Sequence, residues 1–139
     1  MKRLLSALVA FSALTMSAGM AMELAASARA DYTEQEIEAS VIDTCQGSVK
    51  KQLKDPDSAK FGDDWKAWVV THHDKPPMVS NYHPENGDKL YSAGGGVNAR
   101  NGYGGYTGSE AWGCDASVTT AGDIHAHAYS IEDLLNGGN

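Results

Sequence analysis

The chain has 139 residues, 42% of them hydrophobic, and a formal net charge of −7. That length holds one domain with one modest core. The acidic balance repels phosphate backbones, so nucleic acid is not an expected partner.

The first thirty residues differ from the rest. Lys2 and Arg3 make a short positive start, residues 4–22 carry no charge, and Ala28-Arg29-Ala30 supplies a small-x-small triplet before Asp31. That order is the pattern of a secretory signal peptide over residues 1–30, with cleavage after Ala30. The competing reading is an uncleaved anchor, because nineteen uncharged residues are long enough to span a bilayer. No cysteine lies near the cleavage site, which removes lipid anchoring. Cleavage leaves residues 31–139 as a single domain with 8 Lys+Arg against 17 Asp+Glu, a net charge of −9. Such a product is secreted or periplasmic and has no contact with the membrane once the signal is removed. Exported domains mature in oxidising compartments, so Cys45 and Cys114 are expected to form a disulfide. Two buried free thiols are the alternative.

Residues 31–54 read as a helix. Thr33 and Glu36 fit a capping box, and Ile37, Val41, Cys45, Val49 and Leu53 recur on one face. Early Glu34, Glu36 and Glu38 and late Lys50, Lys51 and Lys54 complement the helix dipole. Asp55-Pro56-Asp57-Ser58 ends it.

From Ala59 the pattern turns to β. Residues 65–71 form a first strand, and Trp65 and Trp68, three apart, face opposite sides of it. Residues 72–88 are an irregular connection rich in breakers, with a short strand inside it at 78–82. Residues 90–100 and 103–117 are two further strands, joined by Asn101-Gly102 as a two-residue hairpin turn. Residues 123–130 alternate as a last strand, followed by a polar tail with one helical turn. One amphipathic helix followed by an antiparallel sheet of about four strands makes the class α+β.

Two segments carry a resemblance. Leu53-Lys54-Asp55-Pro56-Asp57-Ser58-Ala59-Lys60-Phe61 follows the Cys-bearing helix, and Val97-Asn98-Ala99-Arg100-Asn101-Gly102-Tyr103-Gly104-Gly105-Tyr106 precedes Cys114. In that order they resemble a family of small exported proteins and lipoproteins of bacteria and their phages. The match spans about Cys45 to Cys114. It implies a common fold and the disulfide, and it implies no activity. The departures are the long insertion at 72–88 and the run Gly94-Gly95-Gly96.

No motif announces catalysis or a cofactor. Residues 94–108 contain seven glycines but lack the Gly-Lys-Ser/Thr end and the following helix of a phosphate loop. The glycines read instead as sites where strands bulge or pack against a helix or an aromatic ring. His125 and His127, two apart in a strand, point to one face and are the metal candidates, with His72, His73 or His83 to complete a set. Tyr103, Tyr106 and Trp112 are the candidate binding aromatics. The adjacent carboxylates Asp63-Asp64 and Glu132-Asp133 read as surface or helix-capping groups. The expected function is non-enzymatic: an exported interaction domain for an unknown protein or envelope component. The alternative is a small metal-dependent or hydrolytic protein using His125 and His127.

Overall fold

A computed structural model describes Arg29 and residues 31–71 and 87–137. The signal segment apart from Arg29, the 78–82 strand and His72, His73 and His83 lie outside the described residues. In chain order the elements are α1 (Glu34–Lys50), β1 (Lys60–Phe61), β2 (Lys66–Val69), β3 (Lys89–Asn98), β4 (Glu110–Val118), β5 (Ile124–Ser130) and α2 (Ile131–Leu135). All strand pairs are antiparallel, and β3, β4 and β5 follow one another in space as in sequence. β1 and β2 both pair with β3 and share one edge of the sheet. The α+β class is therefore observed, with five strands among the described residues rather than about four, and with the helical turn of the tail present as α2.

Helix α1 starts where the capping box places it. Thr33 Oγ1 accepts from Glu36 N–H at 3.3 Å, and Thr33 N–H donates to Glu36 Oε2 at 2.8 Å. Two orphan amides of the first turn are thereby satisfied. The helix stops at Lys50, short of the expected end at 54. Gln52 N–H and Leu53 N–H bond back three residues, to Val49 and Lys50, so the chain tightens and leaves the helical path. Gln52 thereby reaches β5: its amide donates to Ala128 O, while Ala128 N–H donates to Ser48 Oγ at 3.0 Å. Two side chains one helical turn apart thus satisfy outward-facing backbone groups of an edge strand, which otherwise invite pairing with another chain.

Ile37, Val41, Cys45 and Val49 are buried against the sheet, and Leu53 packs beside them. The sheet answers with Tyr91, Ala93 and Val97 on β3, Trp112, Cys114 and Ala116 on β4, and Ala128 on β5. Cys45 and Cys114 are bonded, with Cα atoms 5.9 Å apart, and both are fully buried. The bond pins α1 to the second of the two inner strands.

The split edge has a specific cause. Between Phe61, opposite Val97, and Lys66, opposite Gly94, the edge carries four residues where β3 carries two. The excess loops out, and its side chains replace the missing ladder. Asp64 accepts from Gly96 N–H at 3.1 Å, and Gly96 O accepts from Gly62 N–H and from the Trp65 indole at 3.0 Å. The Trp65 ring lies on Gly95, where a β-carbon would stand 2.4 Å from it. The Tyr129 ring covers Gly113 as closely, at 2.5 Å. Both glycines are required by close approach of an aromatic ring. Trp65 is core, and Trp68 is 52% exposed on the opposite face.

The two-residue hairpin at Asn101-Gly102 is not formed. An eleven-residue connection, 99–109, links β3 to β4, and β4 begins at Glu110 rather than 103. Arg100 bridges Tyr106, and the left-handed position falls to Gly104 (φ 81°) rather than to Asn101 or Gly102. Asn101 caps this inner turn, its Oδ1 accepting from Tyr103 N–H at 2.9 Å and Gly105 N–H at 3.2 Å.

The approach to α1 is clasped at the far end of the sheet. Arg29 Nη1 donates to Gly87 O at 2.6 Å and Val118 O at 2.9 Å. Nearby, Glu34 binds Lys89 Nζ at 2.8 Å and the Tyr91 hydroxyl at 2.5 Å. Hydrogen bonds from Lys89 and Tyr91 hold the Glu34 carboxyl below its ordinary value of 4.5. Burial, then the same carboxylate, pushes the Tyr91 hydroxyl up. A depressed carboxyl contributes stability above its unfolded-state value and loses it as pH falls through its folded value. Glu34→Gln is therefore expected to cost roughly 0.5–1 kcal/mol at pH 7, scaled for an exposed ion pair. The difference from the parent should vanish in acid, below the Glu34 titration, in urea melts followed across pH. A gap that persists unchanged at pH 2–3 would refute the linkage.

Candidate functional site

The described residues enclose a cleft of about 460 Å³ at the end of the sheet where β3 leaves and β4 enters. Its apolar floor is Leu53, Val97 and Trp112. Lys54 from the turn after α1 and Arg100 and Asn101 from the 99–109 loop line it. Glu110 from the start of β4, beside Val97, and Glu132 and Asp133 from α2 line it as well.

Each part is positioned by local chemistry. Ser58, buried in the 3₁₀ turn Pro56–Ser58, donates from Oγ to Asp55 O at 2.7 Å and accepts from Arg100 N–H at 2.8 Å. The Tyr106 hydroxyl donates to Ser58 O at 3.1 Å. The Tyr106 ring is flanked by Lys60 Nζ at 4.3 Å and the Arg100 guanidinium at 5.5 Å from its centroid. Cation–π attraction of this kind favours both charges at the ring. Lys54 lies along the loop tip: a β-carbon at Gly102 would stand 3.7 Å from its Nζ. Ser130 Oγ accepts from Asp133 N–H at 3.3 Å and caps α2. Glu132 and Asp133 thus occupy the first turn of a capped helix, where negative charge is favoured.

Lys54, Arg100, Glu110, Glu132 and Asp133 make no ion pair with one another or with any other described residue. All five are exposed.

The candidate aromatics separate. Trp112 is 7% exposed and floors the cleft. Tyr106 braces the loop from outside, and Tyr103 stands at the loop tip, 99% exposed. His125 and His127 share the sheet face turned away from α1, opposite Ser117 and Asp115 on β4. Ser92 Oγ lies 3.2 Å from Asp115 Oδ1 on the same face, and burial followed by Asp115 raises the Tyr129 hydroxyl. Among the described residues no three His, Cys, Asp or Glu side chains are grouped to hold a metal ion.

Sequence reasoning found Trp112 and missed the charged residues of the cleft. Lys54 and Arg100 each sit inside one of the two motif segments, and those segments meet through Ser58. That pairing was the available signal. Glu110, Glu132 and Asp133 carried none, since exposed carboxylates are common. The chain matches none of the protein families, curated proteins or solved structures with which it was compared.

Proposed function

We propose that this chain is an exported, non-enzymatic binding domain whose ligand seats in the cleft between the end of α1, the 99–109 loop and α2. The observation that carries the reading is the cleft itself. It joins an apolar floor to charged side chains that make no ion pair among the described residues, at a volume within the roughly 300–1,000 Å³ of small-molecule sites. Export rests on the residue pattern of positions 1–30. It agrees with the buried Cys45–Cys114 bond, which fits an extracellular or periplasmic location. Among the described residues no helix is long and apolar enough to cross a membrane. The resemblance to small exported proteins of bacteria and phages points the same way and adds no activity.

Amide-resonance mapping of the oxidised protein against a set of small polar compounds tests the reading. Ligand-induced shifts are expected to cluster at residues 97–101, 107–112 and 130–133. Saturable shifts confined to the face of Trp68 and Tyr129, or none at all, would sink it. His125→Ala with His127→Ala is expected to leave the cleft shifts unchanged. Loss of binding in that double variant would move the function to the histidine face.

A further inference from the structure

We infer that the outer edge of β5, from Ile124 to Ala126, accepts an added strand from another protein: an extended segment with one apolar side chain, which enters a hollow beside α1, and with basic residues flanking it. This site lies apart from the cleft and does not rest on it.

The path of α1 leaves this edge open. Glu34 at its start bonds to Lys89 and Tyr91 on β3, Cys45 in its middle to Cys114 on β4, and Ser48 near its end to Ala128 on β5. The helix therefore crosses the sheet obliquely and bonds to the β5 edge at Ala128. Toward the start of β5, a hollow of about 180 Å³ opens between Ile37 and Ser40 on α1 and Val118 and Ile124 on the sheet. An apolar cavity of roughly 150 Å³ holds a benzene molecule, so one aliphatic side chain fits. The backbone beside the hollow is oriented to pair. Ala128 N–H and C=O meet Ser48 and Gln52, so they point away from β4, whereas Asp123 O points toward it, to Thr119 N–H. Alternation along an antiparallel strand then turns the main-chain groups of Ile124 and Ala126 outward, as at Ala128. Among the described residues no strand lies beyond β5. Added strands bind through such main-chain groups and are selected by alternate side chains. Charge sets the chemistry of the partner. Glu36 lines the hollow, Asp123 adjoins Ile124, and both are exposed. Arg29, the cation in the wall, is engaged with Gly87 O and Val118 O. The chain as a whole carries −7. Basic residues on either side of the apolar one complement that rim and speed the encounter.

The test titrates the intact, disulfide-linked protein with the blocked pentapeptide acetyl-Lys-Thr-Leu-Thr-Lys-amide, reading amide shifts. Shifts are expected at residues 37–40, 118 and 122–127, with 97–101 and 130–133 unmoved. A residue opposite Ala126 turns its N–H to β5 and its side chain toward the hollow, while the N–H groups of its two neighbours face away. N-methylation of the peptide's Leu should therefore weaken binding about tenfold, and N-methylation of a Thr should change it little. Exchanging both Lys for Glu should also weaken it about tenfold, and by less as salt is raised. Ser40→Arg, at an exposed helix position lining the hollow, should abolish the shifts with a melting point near the parent's. Ala126→Pro should do the same, since it removes an outward N–H that the β4 ladder does not use. An edge silent to millimolar peptide, or equal binding of the Leu-methylated form, overturns the inference. Shifts confined to the cleft overturn it and leave the cleft reading standing. A dimer that Ala126→Pro abolishes would give the edge to a second copy and overturn it as well.

Discussion

Replacing Cys45 and Cys114 together by alanine is expected to lower the unfolding free energy by about 4 kcal/mol, the loop-closure value for a bond across some 70 residues. The two cysteines are separated by 69 positions. The bond crosses between elements rather than within one, from the middle of α1 to β4 in the sheet interior. Without it the helix is held by side-chain packing, by the Glu34 contacts to Lys89 and Tyr91, and by the Ser48 and Gln52 contacts to Ala128. Reduction should therefore expose amides of α1 and of β4 and β5 to hydrogen exchange together, as one cooperative unit. For a domain this size, 4 kcal/mol is a large share of a total of roughly 5–15 kcal/mol. A urea midpoint that moves by less than the equivalent of 1 kcal/mol would show that the bond is incidental to the fold.

Trp65→Ala is expected to cost about 3–5 kcal/mol, the range for removing a large buried aromatic. The indole is 8% exposed, meets Phe61 edge-on at 5.9 Å between centroids, and lies on Gly95. It also supplies a hydrogen bond to Gly96 O in place of the interrupted strand. Trp65→Phe keeps much of the apolar area but loses that donor, so about 1–2 kcal/mol is expected for the smaller change. The pair separates packing from hydrogen bonding. If both variants unfold at the parent's urea midpoint, the edge does not depend on Trp65.

The main helix and the order of the strands were legible because each rests on short-range regularity, and the disulfide because the chain carries two cysteines and an export pattern. The stripe from Ile37 to Val49 and the Thr33–Glu36 box define α1, and alternation defines β5 to within one residue. The end of α1 was misplaced because Leu53 keeps the apolar spacing after the backbone has turned away, drawn by Gln52 toward Ala128. The hairpin was misread because Asn101-Gly102 is a strong local turn signal. Here Asn101 spends its side chain on the amides of Tyr103 and Gly105, and the left-handed residue falls at Gly104. The split edge was not legible, because Asp64 and Trp65 substitute for strand groups of Gly96 more than thirty residues away. The cleft was illegible for the same reason: its charges come from four separate parts of the chain.

The Arg29 clasp bears on where an exported form of this chain begins. Cleavage after Ala30 removes the arginine and strips Gly87 O and Val118 O of their donor. The sequence also offers Ala26-Ser27-Ala28, a second small-x-small triplet, and a cut there makes Arg29 the first residue. Its new ammonium would then stand at the nitrogen that donates to Thr120 O. Charged donors to carbonyls contribute roughly 1.5–3 kcal/mol when buried and less at a partly exposed site. A chain starting at Arg29 is thus expected to melt several degrees above one starting at Asp31, about 4–8 °C for each kcal/mol retained. Two residues at the processing boundary would set the thermal lifetime of the released protein, and equal melting points for the two chains would show that the clasp is dispensable.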